Sequence, residues 1–136
     1  MTNAKKTASF FLGTLFITAM SFSCKKDNSD TGTTSATVTA LTCASATFSS
    51  TATTNTTYSD TATVPYTGGN AVAYSAGTAI SSEGVTGLTA TLQAGTLASG
   101  EGSIVYAISG TPTSSGTASF AISFGGQSCT LSLTVN

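Results

Sequence analysis

Basic side chains are almost absent from this sequence, and those present all lie near its N-terminus. Among the 136 residues there is no histidine, and the only lysines or arginines are Lys5, Lys6, Lys25 and Lys26. Nucleic-acid binding draws most of its affinity from cationic side chains on phosphates, and phosphoryl transfer needs cations around the transferred group. Beyond residue 26 the chain supplies no such cation, so we expect no nucleic-acid partner.

The same shortage argues against catalysis. Serine and threonine make up more than a third of the chain, but beyond residue 26 no histidine or lysine is present to activate a hydroxyl. From residue 41 onward the only acidic side chains are Asp60, Glu83 and Glu101, too scattered to predict the paired carboxylates of a glycosidase. Glu83 and Glu101 lie in the Gly/Ser-rich turns SSEGV and SGEGS, which are typical of solvated charges. We therefore predict a protein that is not an enzyme and uses no cofactor.

An apolar run long enough to cross a membrane is also missing. The run from Ala8 to Met20 is shorter than the roughly 20 residues that span a bilayer about 30 Å thick. Lys5 and Lys6 precede it, and this order is typical of a secretory signal peptide. A buried core helix is the alternative, but it would have one apolar face, whereas this run is apolar on every side. The sequence predicts a signal peptide over residues 1–23.

The signal peptide ends in small residues before a cysteine. The stretch Ser21 to Cys24 resembles the lipobox of bacterial lipoproteins, although Ser21 stands where leucine is usual and Phe22 is bulky. In that class the cysteine becomes the first mature residue and carries acyl chains, which bind a membrane firmly. The following Lys25 to Asp27 resembles the signal that sends lipoproteins of the Bacteroidota to the cell surface. We expect a lipid anchor on Cys24 in the outer membrane. A secreted protein with a free thiol at Cys24 is the alternative.

Cysteines are few, and three is an awkward count for an exported protein. Lipidation of Cys24 leaves Cys43 and Cys129, which in an oxidising compartment most simply form a disulfide. Two thiols without histidine are too few ligands for a metal site, so none is expected. After cleavage, two lysines and five acids leave a side-chain charge of −3.

Tryptophan is absent, proline occurs twice, and no helical periodicity is visible. Residues 25–40 are small and polar, so we assign residues 24–40 to a lipidated cysteine and flexible tether, and residues 41–136 to one domain. Two alternating runs around Gly125 and Gly126 predict a β-hairpin with Cys129 on its apolar face. Pro65 suggests an edge or bulge position. Further alternating apolar positions are Leu88, Ala90, Leu92, Ile104, Tyr106 and Ile108.

These patterns predict an all-β domain. About six to eight short strands, with a turn signal every 8 to 14 residues, favour an antiparallel β-sandwich. A β-solenoid is the alternative, but the domain shows no fixed repeat. The absence of tryptophan excludes the Cys–Trp–Cys core of antibody domains.

Three stretches carry a resemblance to a known family. LTCASA (Leu41 to Ala46), VPYTGGN (Val64 to Asn70) and the long segment from Gly84 to Val135 resemble a repeat domain of secreted proteins of the Bacteroidota. The resemblance implies an Ig-like β-sandwich without an established catalytic role, in which Cys43 and Cys129 correspond to the two cysteines of the family. Members often carry the domain in tandem, whereas this chain has one copy behind a lipoprotein signal.

A short motif suggests a modification site. Asp60-Thr61-Ala62 resembles the Asp-Thr-small motif at which the Bacteroidota O-glycosylate exported proteins, which makes Thr61 a candidate acceptor. A threonine in a strand without any modification is the alternative.

The sequence thus predicts a non-enzymatic surface lipoprotein with a structural or interaction role in adhesion or assembly. Partners would be the membrane, through Cys24, and a protein or a second copy that joins at a strand edge. The alternative is a glycan-binding module, in which Tyr66 and Tyr74 flank a Gly68-Gly69 turn and face one another across a hairpin. An exposed coplanar tyrosine pair would favour glycan binding, and a buried pair would favour the structural role.

Overall fold

The structure, a computed structural model, describes residues 34–136. The predicted signal peptide, Cys24 and most of the predicted tether lie outside these residues. The described chain forms eleven strands and one 3₁₀ turn at Cys43–Ser45. The strands are β1 (Ala40–Leu41), β2 (Thr47–Phe48), β3 (Tyr58–Asn70), β4 (Ala73–Tyr74), β5 (Ile80–Ser81), β6 (Glu83–Gly84), β7 (Leu88–Leu92), β8 (Gly95–Thr96), β9 (Ser99–Gly110), β10 (Gly116–Phe124) and β11 (Gln127–Val135).

These strands form an all-β sandwich, as the sequence predicts. The first sheet has the order β1-β3-β9-β7-β5, with β2 also paired to β3, and the second has the order β11-β10-β6. Strands β4 and β8 pair separately, and every pairing between named strands is antiparallel. Six of the eleven strands contain only two residues, too short to leave an alternating pattern, so the sequence predicts fewer. Buried side chains from both sheets form one core cluster.

The predicted hairpin is confirmed. Gly125 and Gly126 both have positive φ, at 60° and 85°, as a two-residue type I′ turn requires. The pairing between β10 and β11 is regular along its whole length, from Phe124 opposite Gln127 to Gly116 opposite Val135. The alternating apolar positions predicted on β7 and β9 are buried: Leu88, Ala90, Leu92, Ile104, Tyr106 and Ile108. The apolar faces of the two hairpin runs are buried at Phe120, Ile122, Phe124, Leu131, Leu133 and Val135, whereas Cys129 on the same face is half-buried.

The predicted turn at Gly68-Gly69 is wrong, because strand β3 continues through these glycines to Asn70. Between Tyr66 and Gly69, β3 has one residue more than β9, so the pair contains a β-bulge. Gly68 adopts a φ of 68°, a conformation that side chains with a Cβ rarely tolerate. The glycine pair that suggests a hairpin therefore marks a bulge inside a long strand.

Pro65 lies beside this bulge, at a gap in the neighbouring chain. Strand β2 pairs with β3 as far as Thr63, and β1 pairs with it from Tyr66 onward. Between them the chain leaves the sheet in the 3₁₀ turn, and the Thr42 N–H donates to the Pro65 carbonyl at 2.9 Å. A residue without an N–H fits this interruption.

Residues upstream of the predicted domain start at Leu41 belong to the folded domain. The Val38 side chain is buried, and its N–H donates to the Gly125 carbonyl at 3.1 Å. The Asn70 side chain accepts a hydrogen bond from the Thr37 N–H at 3.2 Å and donates one to the Ser35 carbonyl at 2.8 Å. Residues 35–40, assigned to the tether by their polar composition, thus bind both β3 and the β10–β11 hairpin.

Cys43 and Cys129 form a disulfide with a Cα–Cα distance of 5.9 Å. The bond joins the 3₁₀ turn to β11 across a sequence separation of 86 residues. Both cysteines are half-buried and pack against the core cluster. The disulfide therefore fixes the start of the described chain to its last strand.

Candidate functional site

Tyr66 is a core residue and not part of an exposed binding surface. Only 3% of it is exposed, and its hydroxyl oxygen accepts a hydrogen bond from the Ala98 N–H at 2.7 Å. Two glycines make room for the ring: a Cβ at Gly69 would lie 2.6 Å from Tyr66 Cε2, and one at Gly102 would lie 2.6 Å from Cζ. The aromatic ring thus covers the glycine-rich bulge, as aromatic side chains do elsewhere in sheets.

Tyr74 lies in a separate position and is half-buried. Its ring packs edge-on against Phe124, with ring centroids 4.8 Å apart and an angle of 70° between the planes. Burial, with a smaller contribution from nearby Tyr66, raises the pKa of its hydroxyl. Tyr66 and Tyr74 lie on different strand pairs, and they do not form the exposed coplanar pair that sugar stacking would need.

A groove of about 560 Å³ passes beside Tyr74 and Phe124. Its lining includes Leu92 and the hydroxyl side chains of Ser75 and Ser123, and none of its lining residues carries a charge. Below it in the core, burial chiefly, and Tyr74 to a lesser extent, raise the pKa of Tyr106 to about 12. Both phenols are therefore neutral at physiological pH and offer no general base.

Asp60 is held in a network of hydrogen bonds. Its carboxylate accepts the Ser50 N–H at 2.6 Å, the Ser50 hydroxyl at 2.9 Å, the Tyr58 hydroxyl at 2.9 Å and the Thr61 N–H at 2.7 Å. Partial burial acts to raise the pKa of Asp60, but these hydrogen bonds outweigh it and lower the pKa to about 2. A carboxylate so stabilised in its ionised form is a poor proton donor, and its role here is to hold the loop at Ser50.

The structure separates the acids of the domain. Asp60 pairs with Ile108 of β9, and Glu101 lies seven residues further along that strand, a distance of about 23 Å. Glu83 belongs to β6 in the other sheet. Asp60 and Glu101 are therefore too far apart for the carboxylate pair of a glycosidase. Among residues 34–136, no three cysteine or acidic side chains come close enough to hold a metal ion.

The candidate glycan acceptor Thr61 is exposed. It lies in β3 opposite Ala107, and its side chain points away from the core while that of its neighbour Ala62 is fully buried. The Asp60 side chain beside it is fixed by the hydrogen bonds described above. The Thr61 hydroxyl is thus accessible at the middle of the first sheet.

Strand β11 has a long open edge. Phe124 and Gln127 flank a two-residue turn, so their backbones are hydrogen-bonded to each other. From Gln127 onward, every second residue of β11 is hydrogen-bonded in the same way to its partner on β10. The intervening residues direct their N–H and C=O groups away from β10. These residues are Ser128, Thr130, Ser132 and Thr134, all with exposed side chains.

Within the described chain, backbone hydrogen bonds cover only the end of this edge, while the disulfide at Cys129 holds the 3₁₀ turn at Cys43–Ser45 close to β11. Asn136 continues the series of residues whose backbone groups point away from β10. It donates its N–H to the Ala52 carbonyl, and its own carbonyl accepts the Thr54 N–H. Ala52 also forms a parallel bridge with Val135. No backbone partner within residues 34–136 faces the outer side of β11 between Ser128 and Ser132.

The opposite edge is partly covered. Strand β6 pairs only with Ala118 and Ser119 of β10, so the outward backbone groups of Ala121 and Ser123 have no backbone partner among residues 34–136. Strand β5 ends the first sheet and β6 ends the second, and only Ser82 separates them in sequence. Ser82 is buried, donates its N–H to the Leu88 carbonyl at 2.9 Å and accepts the Leu88 N–H on its hydroxyl at 3.3 Å. The chain thus crosses from one sheet to the other here, and each edge strand has only two residues.

A second groove, of about 340 Å³, borders the open edge. It lies between residues 48–51 and the end of β11, and its lining includes the half-buried ring of Phe48 beside Leu133, Ser132 and Thr134. The open edge therefore has an apolar surface next to its free hydrogen-bonding groups. The sequence predicts binding at strand edges but not at β11 in particular, because strand order depends on non-local pairing.

Comparison with known protein families, with curated proteins and with solved structures gives no match for this chain. The resemblance to a repeat domain of the Bacteroidota stays a prediction. In residues 34–136, the structure contains no helix with the length and apolar character needed to cross a membrane.

Proposed function

We propose that this protein is a non-enzymatic lipoprotein, anchored to the outer membrane by acyl chains on Cys24, that binds a protein partner through the open edge of β11. The observation that supports the proposal is the stretch from Ser128 to Ser132, whose outward N–H and C=O groups have no partner among the described residues. An extended segment that joins such an edge gains main-chain hydrogen bonds, and side chains decide its specificity.

The chemistry of the edge agrees with this role. Soluble proteins protect long edges with lysine, proline, bulges or very short strands, and the edge of β11 has none of these. Its exposed side chains are short hydroxyls, which leave the backbone accessible. The neighbouring groove at Phe48 and Leu133 offers apolar contact for one side chain of an added strand.

The absence of cations from the domain sets the physical character of binding. Hydrogen bonds and apolar contacts act at short range and are hardly affected by salt, unlike the steering of a charged partner. We therefore expect the affinity for a protein partner to change less than about twofold between 50 mM and 500 mM salt. A steep loss over that range would contradict binding at this uncharged edge.

Glycan binding is supported less well. Tyr66 is buried and only Tyr74 reaches a groove, where its ring is edge-on to Phe124. One half-buried ring without a charged neighbour offers a sugar little more than a single apolar contact. The groove beside Tyr74 is nevertheless the place where a sugar would bind, so the decisive experiment includes it.

Site-specific photocrosslinking on intact cells tests the proposal. A benzophenone amino acid replaces Thr130 at the open edge, Ser75 at the Tyr74 groove, or Thr117, an exposed residue of β10 that serves as the matched control. We expect a protein adduct from position 130 and none from position 117. An adduct from position 75 alone, or equal adducts from positions 130 and 117, would refute the edge as the binding site.

We also propose that Thr61 carries an O-glycan. Its exposed side chain in the Asp60-Thr61-Ala62 motif supports the proposal. Intact-protein mass spectrometry of the natively produced protein should show a glycan mass that disappears in Thr61→Ala and persists in the matched control Thr63→Ala. A mass unchanged by Thr61→Ala would rule this acceptor out.

A further inference from the structure

We propose that the partner at the β11 edge is a second copy of this chain, joined antiparallel about a two-fold axis at Thr130, so that two three-stranded sheets become one six-stranded sheet. This inference rests on the proposed function and names the partner for the same edge.

The hydrogen-bonding pattern of the edge is self-complementary about Thr130. In an antiparallel pair, residues that point their backbone groups at each other exchange two hydrogen bonds. With Thr130 opposite itself, Ser128 faces Ser132 of the other copy, and all three outward residues exchange both bonds, six in total. A shift by one residue brings in residues whose backbones already bind β10, and a shift by two leaves outward groups unpaired.

The side chains of the edge permit this pairing. Short hydroxyl side chains would face one another, Thr130 against Thr130 and Ser128 against Ser132, and such cross-strand pairs are favourable. No like charges would meet, because Asp60, Glu83 and Glu101 belong to β3, β6 and β9 and not to this edge. Two negatively charged copies can therefore approach along β11 without direct repulsion.

A two-fold contact at β11 joins two copies. A two-fold contact uses the same surface on both chains and closes on itself. Continued growth would need a second contact at the opposite edge, where β6 covers Ala118 and Ser119 and only Ala121 and Ser123 of β10 keep outward groups without a backbone partner among the described residues. The β11 contact by itself therefore gives a closed dimer.

A charge-exchange experiment on the full-length chain tests the register. Two differently tagged copies are co-expressed, extracted in mild detergent, and the fraction of one that co-purifies with the other is measured. We expect wild-type copies to co-purify and Thr130→Lys with Thr130→Lys to fall at least tenfold, because two lysines meet at the axis. Two copies of Thr130→Glu should show the same loss. When one copy carries Thr130→Lys and the other Thr130→Glu, opposite charges meet at the axis, and the co-purifying fraction should recover to at least half of the wild-type value.

Thr117→Lys and Thr117→Glu are the matched controls, because Thr117 lies in the neighbouring strand β10 and is also exposed. They should leave co-purification unchanged, and the melting temperature of each variant verifies folding. Wild-type copies that do not co-purify, or a Lys–Glu pair that gives no recovery, would overturn the dimer. If the crosslink at position 130 then contains a different protein, the proposed function stands without this inference. If position 130 gives no crosslink to any protein, both the dimer and the proposed binding at the β11 edge are refuted.

Discussion

Reduction of the Cys43–Cys129 disulfide is expected to lower the melting temperature of the protein by about 20 °C. The bond closes a loop with a sequence separation of 86 residues, most of the described chain. Its loss leaves the folded state nearly intact, since β11 remains paired with β10 over nine residue pairs and Thr42 still donates to Pro65. The main effect is therefore expected on the unfolded chain.

The magnitude follows from the entropy of loop closure. For a loop of this length the cross-link removes about 15 cal/mol/K from the unfolded ensemble, which corresponds to about 4.6 kcal/mol at 25 °C. A domain of about 100 residues has an unfolding entropy of about 0.2 kcal/mol/K at its midpoint, and the ratio of the two gives the shift of about 20 °C.

Thermal unfolding followed by circular dichroism, with and without a phosphine reductant, measures the shift. Thiol titration before and after reduction establishes the state of Cys43 and Cys129. The double variant Cys43→Ser/Cys129→Ser is the control, which should melt near the reduced wild type and be insensitive to reductant. A fully reduced protein that melts within 5 °C of the oxidised one would refute the argument from loop closure.

Three further predictions concern single residues. Cys24→Ala should release the protein from membranes and abolish labelling by an alkyne fatty acid, and labelling that survives would contradict the lipid anchor. The ionised Asp60, with its pKa lowered from 3.8 to about 2, stabilises the fold above about pH 4, and this contribution is lost as the pH falls towards 2. Asp60→Asn should therefore lower the melting temperature at pH 6 but have a smaller effect at pH 2, and an equal effect at both pH values would contradict the shift. Gly102→Ala forces a methyl group against the Tyr66 ring and should destabilise the protein by about 1–3 kcal/mol in urea unfolding, whereas a neutral result would contradict the packing of that ring.

Local patterns in the sequence predict the core well. Ile104, Tyr106 and Ile108 occupy every second position and all three are buried, because a strand that covers a core turns every second side chain inward. The two-glycine turn at Gly125 is likewise a local signal, since both glycines adopt conformations that other residues avoid. Such features depend on neighbours in sequence, so the sequence alone suffices to predict them.

Features that depend on distant contacts could not be predicted in this way. Gly68 and Gly69 look like a hairpin turn, but the bulge they form is defined only by the pairing of β3 with β9. Val38 stands alone in a polar stretch, and only its contact with the hairpin at Gly125 shows that it belongs to the fold. Nothing in the sequence around Asn70 indicates that its side chain holds this segment with two hydrogen bonds.

The candidate site follows the same division. The side-chain pattern of the open edge can be predicted from the sequence, because SCTLSLTV alternates hydroxyl and apolar side chains and carries no charge. That β11 lies at the end of its sheet is a consequence of strand order. A charge-free strand is harmless in the middle of a sheet and becomes a binding site only at an edge.

The proposed anchor and the proposed dimer are compatible in geometry. Ten peptide units connect Cys24 to Thr34, a reach of at most about 35 Å, so anchored copies stay in one thin layer at the membrane. A two-fold axis normal to the membrane would place Thr34 of both copies at equal height, which is compatible with anchoring of both copies to one surface. Confinement in that layer raises the effective concentration without adding any contact.

The two proposals therefore separate under mutation. Cys24→Ala should weaken association only by dilution, so that raising the protein concentration restores co-purification of the two tagged copies. Thr130→Lys should abolish association while membrane binding persists. An association that fails without the acyl chains at every concentration would show that lipid, and not the edge of β11, makes the contact.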